Sequence, residues 1–205
     1  VSAGRRRRRD RRSEPTWWGF HRLADDWGRR LVAGADVRTG DLVLDVGAGT
    51  GALTAPLVAA GARVVAVELH RERARTLRAR FSDADVTVVR VDGSDLRLPR
   101  RAFRVVANPP FSISTALLRR LLARGSRLVR ADLVVPRHVA GRWTSERAPG
   151  RERWSPIYRA STTLVVPRWA FHPATPRDAV VLRLDRRSPT GAPPDPRARR
   201  RSRGG

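Results

Sequence analysis

The chain of 205 residues carries 43 basic side chains, all of them arginine, against 19 acidic ones, for a formal net charge of +24. This length suits one domain with a substantial core; the lack of cysteine excludes disulfides and thiolate metal sites, and no apolar run approaches the roughly 20 residues of a membrane span. A soluble, cytoplasmic, metal-free monomer is expected, and the excess of positive over negative charge points to a polyanionic partner, nucleic acid above all.

The ends are the most biased segments. RRRRRDRR at residues 5–12 and RRSPTGAPPDPRARRRSRGG from residue 186 are dense in Arg, Pro and Gly, which predicts a disordered basic arm over 1–16 and a disordered tail over 186–205 around one domain at 17–185. Each segment holds seven arginines, and both are expected to add to the grip on a polyanion by releasing its counterions.

Between them, WWGFHRLADDWGRRLVAGA places Trp27, Leu31 and Val32 at helical spacing and predicts a helix ending near Gly34. LVLDV then reads as a buried strand, the glycine cluster after it as a turn, ALTAPLVAA as a helix and RVVAVE as a second strand. The alternation continues with HRERARTLRARF as a helix, DVTVVRVD and FRVVAN as strands, STALLRRLLA as a helix and RLVRADLVVP as a strand. After Pro136 the pattern weakens to a short helix and a mobile loop, followed by two strands, YRASTTLVVP and AVVLRLD, with no helix between them. The expected fold class is α/β: a mostly parallel sheet covered on both faces and closed by an antiparallel pair. Ligands of such sheets lie beyond the carboxyl ends of the strands.

Four strand ends carry the chemistry. In DVGAGTG, Gly47, Gly49 and Gly51 allow a tight turn and a close backbone approach to a ligand, while Asp45 suits an ammonium group or sugar hydroxyls better than a pyrophosphate. Glu68 ends the second strand, where a carboxylate accepts hydrogen bonds from ribose hydroxyls. Asp92, followed by Gly93, ends the third and is placed for an adenine amino group. A nucleoside with a positive substituent fits this set, and S-adenosylmethionine is the expected cofactor. The fourth strand runs into Asn108-Pro109-Pro110-Phe111. If the Asn108 side-chain oxygen and the Pro109 carbonyl both accept from an adenine NH2, its lone pair is freed from the ring to attack a sulfonium methyl. Pro110 stiffens the turn and Phe111 offers a face for a flipped base.

With these residues placed, the chain resembles the Erm family of large-subunit rRNA adenine N6-methyltransferases from about residue 17 to 185, through VLDVGAGTGALT, AVELH, ANPPFSIS and PRWAFHPATPRDAVVLRL. The last segment is the most discriminating. The resemblance implies a Rossmann-like, S-adenosylmethionine-dependent methyltransferase fold, with 23S rRNA or a pre-50S particle as partner and macrolide, lincosamide and streptogramin B resistance as the outcome. By motif match it implies cofactor contacts at Gly47, Glu68, Asp92 and Asn108. A Gln-Asn-Phe-Leu motif of the family falls on Phe20-His21-Arg22-Leu23, so His21 and Leu23 are expected at the methionine end of the cofactor, with His21 in the Asn position. Arg137 and Arg142 are expected to contact RNA, Arg142 at a basic position of the family. The family's C-terminal helices are not recognised after VVLRLD, as in its short members. A small-subunit rRNA adenine dimethyltransferase and a non-catalytic RNA-binding protein on the same fold are the alternatives.

Overall fold

The computed structural model describes residues 21–187. The basic arm, Trp17 to Phe20 of the expected first helix, and the tail beyond Arg187 lie outside the described residues. The elements are β1 (Arg22–Leu23), α1 (Asp25–Gly34), β2 (Leu42–Val46), α2 (Thr54–Ala59), β3 (Arg63–Val67), α3 (Arg71–Arg80), β4 (Val86–Val89), β5 (Phe103–Ala107), α4 (Ser114–Leu121), β6 (Leu128–Pro136), α5 (Arg137–Thr144), α6 (Arg151–Trp154), β7 (Tyr158–Val166), β8 (Phe171–His172) and β9 (Ala179–Arg186).

Seven strands form one sheet in the order β4-β3-β2-β5-β6-β9-β7. The first five are parallel, and β9 lies antiparallel between β6 and β7. Since β3 and β5 flank β2 on opposite sides, the chain leaves β2 in both directions and opens a crevice at its carboxyl end.

The period of two along each strand divides the core between the two faces. Leu44, Val46, Val105, Ala107, Leu133 and Val135 face α4 and α5 through Leu117, Leu118, Leu121 and Trp143. Val43, Val64, Val106, Val134 and Val181 face α1 and α2 through Trp27, Leu31, Val32 and Leu57. Buried Asp132 on β6 accepts from Arg130 Nε at 3.0 Å and Arg183 Nε at 2.8 Å. The same two guanidiniums donate to the Gly34 carbonyl at 2.8 and 2.6 Å, tying the end of α1 to the sheet.

Three expectations are corrected. The first helix starts at Asp25, because the segment before it pairs as β1 with β8, Arg22 opposite His172 and Leu23 opposite Phe171. The segment read as a mobile loop holds α6, anchored by Trp154, whose ring lies 6.2 Å from that of buried Trp143 and whose Nε1 donates to Pro149 O at 3.0 Å. The tail does not begin at residue 186: Arg186 ends β9, paired opposite Tyr158, and Arg187 N donates to Ile157 O at 2.7 Å.

Candidate active site

A cavity of about 270 Å³ opens at the carboxyl ends of β2, β3 and β5. Its lining includes His21, Leu23, Asp45, Gly47, Gly49, Glu68, Asp92, Gly93 and the whole Asn108-Pro109-Pro110-Phe111 turn, so residues far apart in sequence meet in one place. Arg137 and Arg142 are exposed on α5 outside this lining, and Arg137 pairs with Asp178 at 3.8 Å. Gly51 also falls outside it: a Cβ there would lie 2.7 Å from the Phe81 ring, so this glycine lets the turn pack on α3 instead of reaching the cavity.

The glycine turn is held by the end of β3. Gly47 N and Ala48 N donate to Val67 O at 2.8 and 3.0 Å, and Gly49 N donates to Glu68 Oε2 at 2.8 Å. Glu68 Oε1 accepts from His70 N at 2.8 Å and Arg73 Nε at 3.2 Å. The carboxylate expected only to meet a ligand therefore also pins the loop, and Arg73 was not foreseen as its partner. Gly47 has φ of 77°, and a Cβ on it would lie 3.0 Å from Pro110 Cδ and 3.2 Å from Pro109 Cα. Gly47→Ala should lower stability by about 1–2 kcal/mol through the left-handed backbone alone and push the proline turn outward. Thermal melting checks the first effect; an unchanged melting temperature would show that the turn relaxes freely.

Asp45 is 1% exposed. Its Oδ2 accepts from Thr54 Oγ1 at 2.7 Å, and its Oδ1 is buried with no partner among the described residues. Burial pushes the carboxyl up to about 7, with the Thr54 hydrogen bond pulling against it and the Glu68 charge adding to it. Asp92 lies three residues beyond the end of β4, not at the strand end, and its Oδ1 accepts from Ser94 N and Oγ, both at 2.8 Å.

At the proline turn, Asn108 Nδ2 donates to His21 O at 2.9 Å, which assigns the amide and commits Oδ1 to the acceptor role. Pro110 O is taken by Ile113 N at 3.1 Å, whereas Asn108 Oδ1 and Pro109 O accept no hydrogen bond among the described residues. His21 Nδ1 lies 2.8 Å from Pro173 O, and since a carbonyl only accepts, the ring proton sits on Nδ1. The Phe111 ring lies 6.3 Å from the His21 ring in a stacked arrangement and 6.4 Å from Phe171 edge-on. The late segment Phe171-His172-Pro173 thus closes over the proline turn.

Other lining residues were not anticipated. Arg22 crosses the glycine turn with Nε 3.3 Å from Thr50 Oγ1, and half-exposed Leu69 sets an apolar side chain at the mouth. Leu69 adjoins Glu68, and Arg22 sits between His21 and Leu23 in the motif expected at the cofactor, but its reach across the glycine turn depends on β1 pairing with β8.

Residues 27–195 match the family model described as ribosomal RNA adenine dimethylase. The chain is 35% identical over 170 residues to the ribosomal RNA small subunit methyltransferase A of Thermosynechococcus vestitus, covering 76% of this chain and 63% of that protein. It is 32% identical over 219 aligned positions to the protein of the same name from Anaeromyxobacter dehalogenans, covering 95% of this chain and 75% of the relative. Among solved structures, the 23S rRNA methyltransferase ErmE superposes with a TM-score of 0.73 at 26% identity, over 81% of this chain and 70% of that one. The fold is Rossmann-like, of the methyltransferase type. A family match that spans both the glycine turn and the proline turn, and continues through the segment that closes over them, leaves no doubt about kinship: this chain belongs to the ribosomal RNA adenine dimethylase family.

Proposed function

We propose that the chain transfers a methyl group from S-adenosylmethionine to the N6 amino group of an adenine in the peptidyl-transferase region of 23S rRNA, acting as a cytoplasmic monomer and conferring macrolide, lincosamide and streptogramin B resistance. The observation that carries this reading is the pair of acceptors at the proline turn with no partner among the described residues, Asn108 Oδ1 and Pro109 O, on residues that line the same cavity as the buried Asp45 carboxylate. The two acceptors match the two hydrogens of an exocyclic amine. Drawing on both localises the nitrogen lone pair, and Phe111 supports the base.

The residues also suit the cofactor. Asp45 Oδ1 lacks a partner among the described residues at a site where burial, with the Glu68 charge, disfavours its ionised form, so a ligand ammonium group would satisfy it. Glu68 and Asp92 would hold the ribose and the adenine, and His21 and Leu23 would lie toward the methionine end. When bound, S-adenosylmethionine supplies an activated methyl group, and the chain's own residues position and polarise the amine. The absence of a strong general base in this scheme fits a weakly acidic amine that loses its proton after the methyl has moved.

The likeness to ErmE favours 23S rRNA. The second reading, an adenine of small-subunit rRNA, is favoured by the name of the sequence relatives. Mass spectrometry of rRNA from cells expressing the protein separates them: N6-methyladenine in the peptidyl-transferase region with raised macrolide tolerance is expected, and methylation confined to 16S rRNA would replace the first reading by the second.

Glu68→Ala and Asp92→Ala should each weaken cofactor binding about ten- to hundredfold, the worth of a hydrogen bond to a charged group. Glu68→Ala should also lower the melting temperature, since it frees Gly49 N and His70 N. Calorimetric titration with S-adenosylmethionine checks this, and undiminished affinity in both variants would move the nucleoside elsewhere.

A further inference from the structure

At the opposite end of the sheet from the active site, the loops leading into β5 and β6 bring Arg100, Arg101 and Arg127 around a second cavity of about 270 Å³ with Arg186 from the end of β9. No acidic residue among the described residues lines it, and none occurs in the sequence between positions 96 and 131, a stretch holding nine arginines. Arg186 is a fixed member: its NH1 donates to Ser126 O at 3.2 Å, Leu128 O at 3.3 Å and the Tyr158 hydroxyl at 3.2 Å, and its guanidinium lies 5.6 Å from the Tyr158 ring centre. The backbones of the two loops are joined by Phe103 N donating to Arg127 O at 3.3 Å. Arg100, Arg101 and Arg127 are exposed, and none is in an ion pair among the described residues.

Like charges converging on a concave, carboxylate-free site repel one another unless an anion lies between them, and guanidinium forks match phosphate oxygens. We propose that this cluster is a docking site for backbone phosphates of the RNA substrate, separate from the cavity that takes the target base. β5 separates the two by five residues, about 16 Å at roughly 3.3 Å per residue, so one folded RNA can engage both, the second contact raising the effective concentration of the first. This site rests on the reading of rRNA as substrate. It contributes to grip and leaves the chemical step alone, so a short oligonucleotide that reaches only the active site does not use it.

The test compares full-length wild type with Arg100→Ala/Arg127→Ala, with Arg100→Lys/Arg127→Lys, and with a charge-matched control, Arg29→Ala/Arg75→Ala. Binding to a peptidyl-transferase-region 23S rRNA fragment is measured at several salt concentrations, alongside methyl transfer to that fragment and to a short adenine-containing oligonucleotide. The alanine pair should flatten the log affinity against log salt slope by roughly 0.7–0.9 per lost phosphate contact and raise KM for the long fragment with kcat unchanged, while the lysine pair keeps the slope and the short substrate is unaffected. A slope for the alanine pair equal to that of wild type or of the control overturns the docking site even if wild type methylates rRNA normally. A wild type that neither binds nor methylates rRNA overturns the functional reading beneath it.

Discussion

Replacing Asn108 by alanine should slow methyl transfer by about 10²–10³-fold, the loss of about 2.7–4 kcal/mol seen when one preorganised hydrogen-bonding group is removed from a transition state. The proposed function gives the side chain two separable jobs. Nδ2 donates to His21 O at 2.9 Å, which joins the proline turn to the residue before β1, and Oδ1, without a partner among the described residues, would accept from the substrate amine on the proposed reading. Losing the first costs about 1 kcal/mol of stability, so the variant should fold and bind cofactor with a modestly lower melting temperature. Asn108→Asp keeps an acceptor toward the amine but sets a carboxylate oxygen against the His21 carbonyl, and should also be impaired. Single-turnover methylation beside thermal melting separates the two jobs. Near-normal turnover in the alanine variant would reduce Asn108 to a structural turn residue.

Asp45 should make the ligand-free protein less stable as pH rises from about 4 to about 7. Its carboxyl is raised from 3.8 to about 7 in the fold, so across that window the native state holds a proton that the unfolded state has released. Stability is therefore highest below the unfolded value, falls as pH climbs, and levels off above the folded value, with a full span on the order of 4 kcal/mol. A cationic ligand reverses the preference because it favours the ionised carboxylate. Affinity for S-adenosylmethionine should consequently rise with pH up to about 7, by no more than about tenfold per unit. Asp45→Asn removes the titrating group while keeping an acceptor near Thr54, and should flatten both profiles and weaken the cofactor. Melting curves from pH 4 to 8 and titrations from pH 5.5 to 8 provide the test. Parallel profiles in the two proteins would mean that Asp45 does not face the ligand's positive charge.

Both predictions concern residues readable in the chain itself, and the physical reason is local. A strand buried on both faces needs a continuous apolar run, as in LVLDV and FRVVA, and a turn at positive φ needs glycine at Gly47 and Gly49. Once alternating strands and helices imply a parallel sheet, the carboxyl ends of its parallel strands share one edge. Asp45, Glu68 and Asn108 were therefore expected at one edge, and the order β3-β2-β5 then makes them neighbours. The importance of the FHP segment was legible as a motif, but its reason was not: Pro173 O and His21 Nδ1 lie 2.8 Å apart across 152 residues of chain, through strands of two residues each. Strands that short have no period to read.

Tertiary structure alone decided how the site's hydrogen bonds are shared. That Glu68 is engaged by Gly49 N and Arg73, that Asp45 leans on Thr54 with one oxygen and keeps the other without a partner among the described residues, and that Gly51 turns to Phe81 all follow from packing between separate elements. The same holds for the arginines at the far end of the sheet. The sequence by itself determined their number and the lack of acids among them, because composition is local. Only the insertion of β9 between β6 and β7 brought Arg186 to the loops carrying Arg100, Arg101 and Arg127, because strand order is set by which buried faces can cover one another and not by any spacing along the chain.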